Sequence, residues 1–233
     1  MTEDPIEQDI AARLAEVRQQ IDEAVVRAGR PPGAVRLLAV SKTKPAAAIR
    51  AAHAAGQREF GESYAQELAQ KAEELRDLDG LVWHFIGRLQ RNKAKQVAQA
   101  ARVIHTVDRP ELAAELGKRA AAAGVRVRIL VEVNVAGEAS KGGCTPAELA
   151  AVLAAVAAEP SLDAAGLMTI PPVTDDPEGA RAFFAELRAL RDRHGGAAAL
   201  PELSMGMTHD FAVAVAEGAT IVRVGTAIFG ARG

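Results

Sequence analysis

The sequence contains a single cysteine, Cys144, so it has neither a disulfide framework nor a Cys-x-x-Cys metal pair. An excess of positive charge is also missing, because the net charge is −2, and this argues against a broad nucleic-acid surface. The longest uncharged apolar run, at 149–158, is far too short to span a bilayer. The acidic, polar start MTEDPIEQDI is unlike a secretory signal. These absences predict a soluble, reduced, cytoplasmic protein that binds neither nucleic acid nor membrane.

The 233 residues are 49% apolar and 25% charged, which is enough material for the core of one ordinary globular domain, 1–233. Apolar residues spaced three and four apart predict an amphipathic N-terminal helix over 6–28. Further helices are expected at 45–56, 63–75, 89–100, 109–124, 145–158, 177–195 and 209–218. We expect Ser63 and Thr145 to cap two of them.

Eight short strands alternate with these helices. They are predicted at 34–40, 58–61, 81–87, 102–107, 125–135, 162–170, 201–207 and 220–225. Alternating units of this size imply a parallel sheet, and eight of them in about 200 residues fit a closed (β/α)8 TIM barrel. No G-x-G-x-x-G follows the first strand, which disfavours an open dinucleotide-binding sheet. Chemistry is therefore expected where the strands end.

Lysine is scarce, with seven lysines among the 28 basic residues, and two of them, Lys42 and Lys44, follow the first strand in LLAVSKTKP. Strand alternation places Leu38, Val40 and Lys42 on one face. If that face is the barrel interior, the Lys42 amine rises into the mouth, where it can form a Schiff base with an aldehyde. The alternative is that Lys42 extends to solvent at the rim.

The loops after the seventh and eighth strands are where barrels often bind phosphate. The first offers Ser204, Gly206 and Thr208, and the second offers Gly225 and Thr226. A phosphate site opposite a strand-end lysine suits a ligand that carries both an aldehyde and a phosphate, as pyridoxal phosphate (PLP) does.

Arg223 directly precedes the second loop. It could bind the phosphate, donate a hydrogen bond to the pyridine nitrogen, or form a surface ion pair.

Other strand-end residues carry weaker signals. His84 and His105 each lie near the end of a strand, and a structural role is the commoner one for such histidines. Asn134, at the end of the fifth strand, could point at a ligand. The basic segment 88–95 is a solvated helix face or an anion contact, and the Gly-rich segment 138–143 is expected to be a mobile loop. No set of His, Asp or Glu has metal-ligand spacing, so no metal is expected.

Several segments in order resemble the pyridoxal phosphate homeostasis protein family, which is related to the N-terminal domain of alanine racemase. They are LLAVSKTKP, FGESYAQE, WHFIGRLQRNK, HTVDR, VNVAGEASKGG, GLMTIPP, LSMGM and VRVGTAIFGAR. The resemblance covers nearly the whole chain and implies a PLP barrel of fold type III.

The resemblance also implies roles for individual residues. Lys42 would hold the cofactor as an internal aldimine, and Arg223 would face the pyridine nitrogen. The phosphate would be surrounded by Ser204, Gly206, Thr208, Gly225 and Thr226. His84 and Asn134 match positions that line the pocket. The chain departs from the family at Ser63, where asparagine is usual, and at Thr208, where serine is usual.

Three functions fit these residues: a non-catalytic carrier for vitamin B6 homeostasis, an amino-acid racemase, or a Schiff-base aldolase. A racemase needs an acid/base group on each face of the substrate, and Lys42 supplies one. Racemases of this fold bring a tyrosine from a second domain, whereas this chain ends at Gly233 and its single tyrosine, Tyr64, lies on a barrel helix. We therefore favour a monomeric carrier that supplies PLP-dependent apo-enzymes.

Overall fold

Eight parallel strands form a closed barrel in the computed structural model, which describes residues 5–138 and 141–231, with the backbone alone for 5–8. Each strand pairs with the next, and β8 closes on β1 with Leu38 opposite Arg223. The predicted (β/α)8 barrel is confirmed. The strands are β1 (Arg36–Val40), β2 (Glu59–Glu62), β3 (Val82–Phe85), β4 (Val103–Val107), β5 (Val127–Glu132), β6 (Leu162–Met168), β7 (Glu202–Met207) and β8 (Ile221–Val224).

Helices surround the barrel. They are α1 (Pro5–Arg27), α2 (Ala46–Ala54), α3 (Ala65–Glu74), α4 (Ala94–Ala100), α5 (Pro110–Ala123), α6 (Leu149–Ala157), α7 (Arg181–Arg193), α8 (Gly196–Ala199), α9 (Phe211–Ala216) and α10 (Thr226–Phe229). Short 3₁₀ turns at Arg91–Lys93 and Pro177–Ala180 precede α4 and α7. None of the described helices is both long and apolar enough to cross a membrane.

The N-terminal helix α1 packs along the outside of the barrel against α2, α9 and α10. Its buried side chains are those that the spacing predicts: Ile10, Leu14, Val17, Ile21 and Val25. Burial of this apolar stripe stabilises the helix by roughly 25 cal/mol for each Å² removed from water.

The core has two apolar layers. The larger one fills the space between strands and helices, and the smaller one lies inside the barrel. Leu38 belongs to the inner layer and Ala39 to the outer one, so the predicted alternation of β1 is confirmed. The inner layer consists of Leu38, Val103, Leu130, Ala165, Met168 and Ile221.

The two predicted caps are wrong in detail. Tyr64, not Ser63, precedes α3, and no side chain caps that helix. Thr145 and Glu148 do exchange hydrogen bonds, but they close a turn before α6, which begins at Leu149. Their bonds have the form of a capping box shifted to the preceding turn.

Ion pairs lie at the N-terminal end of the barrel. The buried carboxylate of Glu202 accepts hydrogen bonds from Arg36 and from Arg128, the latter at 2.7 Å. Arg36 also donates to Glu59 at 2.8 Å. These residues stand at or near the starts of β1, β2, β5 and β7, so this end of the barrel is held by charges that neutralise one another.

Candidate functional site

A pocket of about 350 Å³ opens at the C-terminal end of the barrel, and this volume suits a small organic ligand. Five of the nine predicted site residues line it: Lys42, Thr208, Arg223, Gly225 and Thr226. The remaining lining residues are Val40, Lys44, Ser63, Ile86, Ile170, Met207, His209 and Gly230. The structure thus brings the lysine of the first loop together with the loops after β7 and β8.

Lys42 is half-buried and follows β1 by two residues. The next residue, Thr43, has a φ of 64°, the one left-handed non-glycine residue in the described chain. Its backbone N–H donates to Glu67 Oε1 at 2.6 Å, and the Lys44 N–H donates to Ser41 O at 3.0 Å. The lysine therefore stands on a tight turn in which Thr43 is strained.

A buried ion cluster lies behind this turn. Lys71, 6% exposed, donates to Ser41 O at 2.8 Å, Glu62 Oε1 at 2.8 Å and Glu67 Oε1 at 2.6 Å. Ser41 Oγ also donates to Glu62, at 2.7 Å. Burial raises the pKa of Glu62, against the lowering effect of its bonds to Lys71 and Ser41. Because Ser41 is anchored outward, the neighbouring Lys42 faces the pocket.

Sequence reasoning missed Lys71 and its cluster. The signal was present, because lysines are scarce and Lys71 follows Glu67 by one helical turn.

Arg223 is 4% exposed and lies on the inner face of β8. Its Nη1 donates to Ser204 Oγ at 2.7 Å and its Nη2 to Thr169 O at 2.9 Å. Burial lowers the pKa of Arg223 to about 10, while the charges of Asp210 and Glu132 raise it. The guanidinium is therefore protonated at neutral pH and held in one plane beside the pocket.

The loop after β7 is closed by Asp210, which sequence reasoning did not assign. Its Oδ1 accepts from the Met207 N–H at 2.6 Å, and its own N–H donates to Met207 O at 3.1 Å. Thr208, inside this turn, is exposed and lines the pocket. Gly206 is buried with a φ of 91°, and a Cβ there would lie 2.6 Å from Ala214 Cβ. Close packing on α9 thus explains this glycine without reference to an anion.

The loop after β8 approaches β1 closely. A Cβ at Gly225 would lie 2.9 Å from Val40 O, so only glycine lets the two loops meet. The Gly225 carbonyl accepts from the N–H groups of Ile228 and Phe229. Thr226, the first residue of α10, is exposed at the pocket. This close approach brings Thr226 and Lys42 to one pocket.

Ser204 and His84 do not line the pocket but lie deeper in the barrel. His105 joins them, with its Nδ1 3.0 Å from Ser204 Oγ and its Nε2 2.9 Å from His84 Nδ1. Burial, with nearby positive charge, lowers the pKa of His84 to about 3 and also lowers that of His105, so both rings are neutral at pH 7. The direct PLP contacts predicted for Ser204 and His84 remain predictions.

Asn134 lies apart from the pocket lining. Its side-chain amide donates to Glu138 O at 2.8 Å, and its backbone N–H donates to Cys144 O. In the predicted loop at 138–143, Ala139 and Ser140 lie outside the described residues. Lys141 donates to Pro171 O at 2.8 Å.

Glu132 is a second residue that sequence reasoning missed. It ends β5, is 8% exposed, and shares the inward face of that strand with Leu130. Burial raises the pKa of Glu132 to about 7; the charge of Asp108 adds to the rise and that of Arg223 opposes it. The mouth of the barrel therefore contains a carboxyl group that titrates near neutrality.

The sequence and the fold of this chain both match known proteins. The model for the alanine racemase N-terminal domain matches residues 12–233. The pyridoxal phosphate homeostasis protein of Pseudomonas aeruginosa is 50% identical over 224 residues, covering 96% of each chain. PipY of Synechococcus elongatus, solved with PLP bound, is 40% identical with a TM-score of 0.81, covering 95% of this chain and 100% of that one.

An alanine racemase of Clostridium difficile shares the fold alone, at 13% identity and a TM-score of 0.69, and this chain covers 56% of it. The close relatives match over almost their entire lengths, and the motifs that define the pocket lie within the matched region. The chain therefore belongs to the pyridoxal phosphate homeostasis protein family, within the larger group built on the alanine racemase N-terminal domain.

Proposed function

We propose that this chain binds pyridoxal 5′-phosphate in the mouth of its barrel and holds it for vitamin B6 homeostasis in the cell, as a carrier and not as an enzyme. The observation that carries the proposal is the donor set of one pocket: a lysine amine, a fixed guanidinium and two threonine hydroxyls. The names of the close relatives and the PLP-bound structure of PipY support it.

The residues present fit this cofactor group by group. PLP supplies an aldehyde that bonds reversibly to an amine, and Lys42 is the half-buried amine on the first loop. Thr208, Gly225 and Thr226 stand on the two loops where barrels commonly bind phosphate. Arg223 is a pure donor and would leave the pyridine nitrogen unprotonated. A ring held in this way is a weak electron sink, which suits storage better than catalysis.

A racemase is the second candidate, because a histidine, His209, also lines the pocket. His209 stands on the loop after β7, and its Nε2 lies 3.2 Å from Asp175 O. Two-base racemisation would need this group opposite Lys42. Tyr64, the residue type that racemases of this fold employ, is 55% exposed and precedes α3. The carrier accounts for the pocket without a second base.

Borohydride reduction of the PLP-loaded protein, followed by tandem mass spectrometry of its peptides, tests the binding site. We expect one reduced pyridoxyl group, on Lys42. Lys44 is the internal control, since it lines the same pocket, where its Nζ donates to Ala231 O at 2.7 Å. An adduct on Lys44 in place of Lys42, or no adduct, would overturn the assignment.

Incubation of the loaded protein with L-alanine separates carrier from racemase. We expect no D-alanine above the level given by free PLP. D-alanine formation that disappears in both Lys42→Ala and His209→Gln would establish the racemase.

Delivery to PLP-dependent apo-enzymes, in the cytoplasm and by a monomer, completes the proposal. Ile170, which lines the pocket, is 37% exposed, so apolar surface lies at the opening. Recovery of activity by an apo-enzyme mixed with the loaded protein, with free PLP trapped by a scavenger, measures the transfer. Light scattering measures the oligomeric state.

A further inference from the structure

Four buried side chains form one hydrogen-bonded line across the inside of the barrel. Arg223 of β8 contacts Ser204 of β7 at 2.7 Å, Ser204 contacts His105 of β4 at 3.0 Å, and His105 contacts His84 of β3 at 2.9 Å. Each of the four is at most 4% exposed. The line begins at the pocket and ends near the start of β2, where His84 Nε2 lies 3.6 Å from Glu59 Oε2.

The direction of every bond in this line follows from its first member. A guanidinium only donates, so Ser204 Oγ accepts from Arg223. The single Ser204 proton is then free to go to His105 Nδ1, which must be the unprotonated ring nitrogen. His105 therefore carries its proton on Nε2 and donates to His84 Nδ1. His84 in turn carries its proton on Nε2, facing Glu59. The opposite direction would leave the buried Ser204 proton without an acceptor among these four side chains.

We infer that Ser204, His105 and His84 are positioning residues that fix the Arg223 guanidinium toward the pocket, and that Ser204 is not a phosphate ligand. The inference rests on the proposed function, since the pocket is taken to bind PLP. Arg223 is tied at Nη1 to Ser204 and at Nη2 to Thr169 O, so its plane is set before any ligand enters. A preset donor binds its acceptor with a smaller loss of side-chain freedom.

The tautomers are measurable without PLP, so this test does not depend on the proposed function. In ligand-free protein labelled with ¹⁵N-histidine at pH 7, we expect both His84 and His105 as neutral rings protonated at Nε2. His53, at the surface with its Nε2 2.9 Å from Asp79 O, is the reference ring. Protonation of His105 at Nδ1 would overturn the inference, because Ser204 could then no longer donate along the line.

A second test separates the two roles of Ser204 by comparing PLP with pyridoxal, which lacks the phosphate. If Ser204 positions Arg223, Ser204→Ala weakens both ligands by the same factor, about tenfold. If Ser204 binds phosphate, Ser204→Ala weakens PLP and leaves pyridoxal unchanged, and the inference fails. Thr226→Ala is the control with the opposite expectation, because it should weaken the binding of PLP and leave that of pyridoxal unchanged.

His105→Phe should reproduce the effect of Ser204→Ala on both ligands and shift the absorption band of bound PLP, since it removes the acceptor that orients the Ser204 hydroxyl. The control is Thr106→Val on the same strand, because Thr106 is equally buried but bonds to Gly87 O at 2.7 Å. Equal affinities and spectra for His105→Phe and the parent would contradict the inference. Failure of the parent protein to bind either ligand would instead remove the proposed function and leave the tautomer test standing.

Discussion

Two glutamates of nearly equal burial stand at opposite ends of the barrel in very different surroundings. Glu202, 7% exposed at the start of β7, accepts hydrogen bonds from two arginines. Glu132, 8% exposed at the end of β5, has its pKa raised to about 7 by burial and by the charge of Asp108. The same side chain is thus paired with two arginines at one end of the barrel, whereas at the other end the cost of burial is offset only in part by the charge of Arg223.

This difference agrees with what is expected of (β/α)8 barrels, in which the N-terminal end contributes stability and the C-terminal end contains the functional site. Arg36, Arg128, Glu59 and Glu202 form ion pairs that neutralise one another below the inner apolar layer. At the mouth, Lys42 and Arg223 line the pocket and Glu132 is buried at the end of β5, at a cost in stability that a ligand can offset.

The largest effect on stability should come from a substitution at the N-terminal end of the barrel. We expect Glu202→Ala to lower the free energy of unfolding by about 3 kcal/mol, because two arginines lose their shared partner. The loss stays at the low end for a buried pair, since both arginines keep about 40% of their side-chain exposure. Urea denaturation measures it, with Glu202→Gln as the milder control. Weaker PLP binding at unchanged stability would reverse the roles given to the two ends.

At the mouth, neutralising the carboxyl group of Glu132 should raise the free energy of unfolding instead of lowering it. The pKa of Glu132 is raised from 4.5 to about 7, so between these values the folded chain keeps a proton that the unfolded chain releases. Stability of the parent therefore falls through this group as pH rises from 4.5 to 7. The whole shift corresponds to about 3 kcal/mol, and structural relaxation reduces it to about 2 kcal/mol.

Glu132→Gln removes this titration. We expect the variant and the parent to be equally stable at pH 4.5, and the variant to be more stable by about 2 kcal/mol at pH 8. Urea titrations at pH 4.5, 6 and 8 measure the difference, and Glu186→Gln, at a side chain that is 44% exposed, serves as the control. A difference that does not change with pH would mean that Glu132 titrates normally in the folded protein.

The glycine of the SMGM segment tests whether the mouth is shaped by packing or by a ligand. Gly206→Ala should cost about 1.5 kcal/mol more than Gly124→Ala. Both glycines have positive φ, but a Cβ at Gly124 meets nothing within 4 Å, whereas one at Gly206 meets α9 at 2.6 Å. Thermal unfolding of the two variants measures the difference. Equal stabilities, with PLP binding lost only in Gly206→Ala, would restore the phosphate contact predicted for this residue.

Most of the barrel was predictable, because most strands are short, mainly apolar runs that alternate with helical segments. The helix starts were less predictable, since Ser63 packs its carbonyl against Gly87, Thr145 closes a turn with Glu148, and 3₁₀ turns precede α4 and α7. The short helices α8 and α10 were also missed, because four residues are too few for a periodic pattern. Local sequence therefore predicts whether a segment is a helix or a strand better than it predicts the residue at which the segment begins.

The site was predictable only in part. The position of Lys42 followed from the alternation of β1, and the residues of the last two loops followed from their place after β7 and β8. The line from Arg223 to His84 was not foreseen, since it joins four strands at one level of a closed barrel. A single sequence does not show which residues of non-adjacent strands lie at the same height in a barrel. Nothing in the sequence therefore indicated that the two histidines are neighbours.

The smallest expected effect on stability concerns the turn that carries Lys42. Thr43→Gly relieves a left-handed threonine, but glycine loses more freedom on folding, so the free energy of unfolding should change by less than about 1 kcal/mol. PLP affinity should nevertheless fall several-fold, because the Thr43 N–H, held at 2.6 Å by Glu67, no longer belongs to a rigid turn. Urea denaturation and PLP titration measure the two quantities, and Thr43→Asn, which tolerates the same φ, is the control. If Thr43→Gly changes neither quantity, the strain at Thr43 has no part in placing Lys42, and the buried Lys71 cluster alone holds the lysine at the mouth.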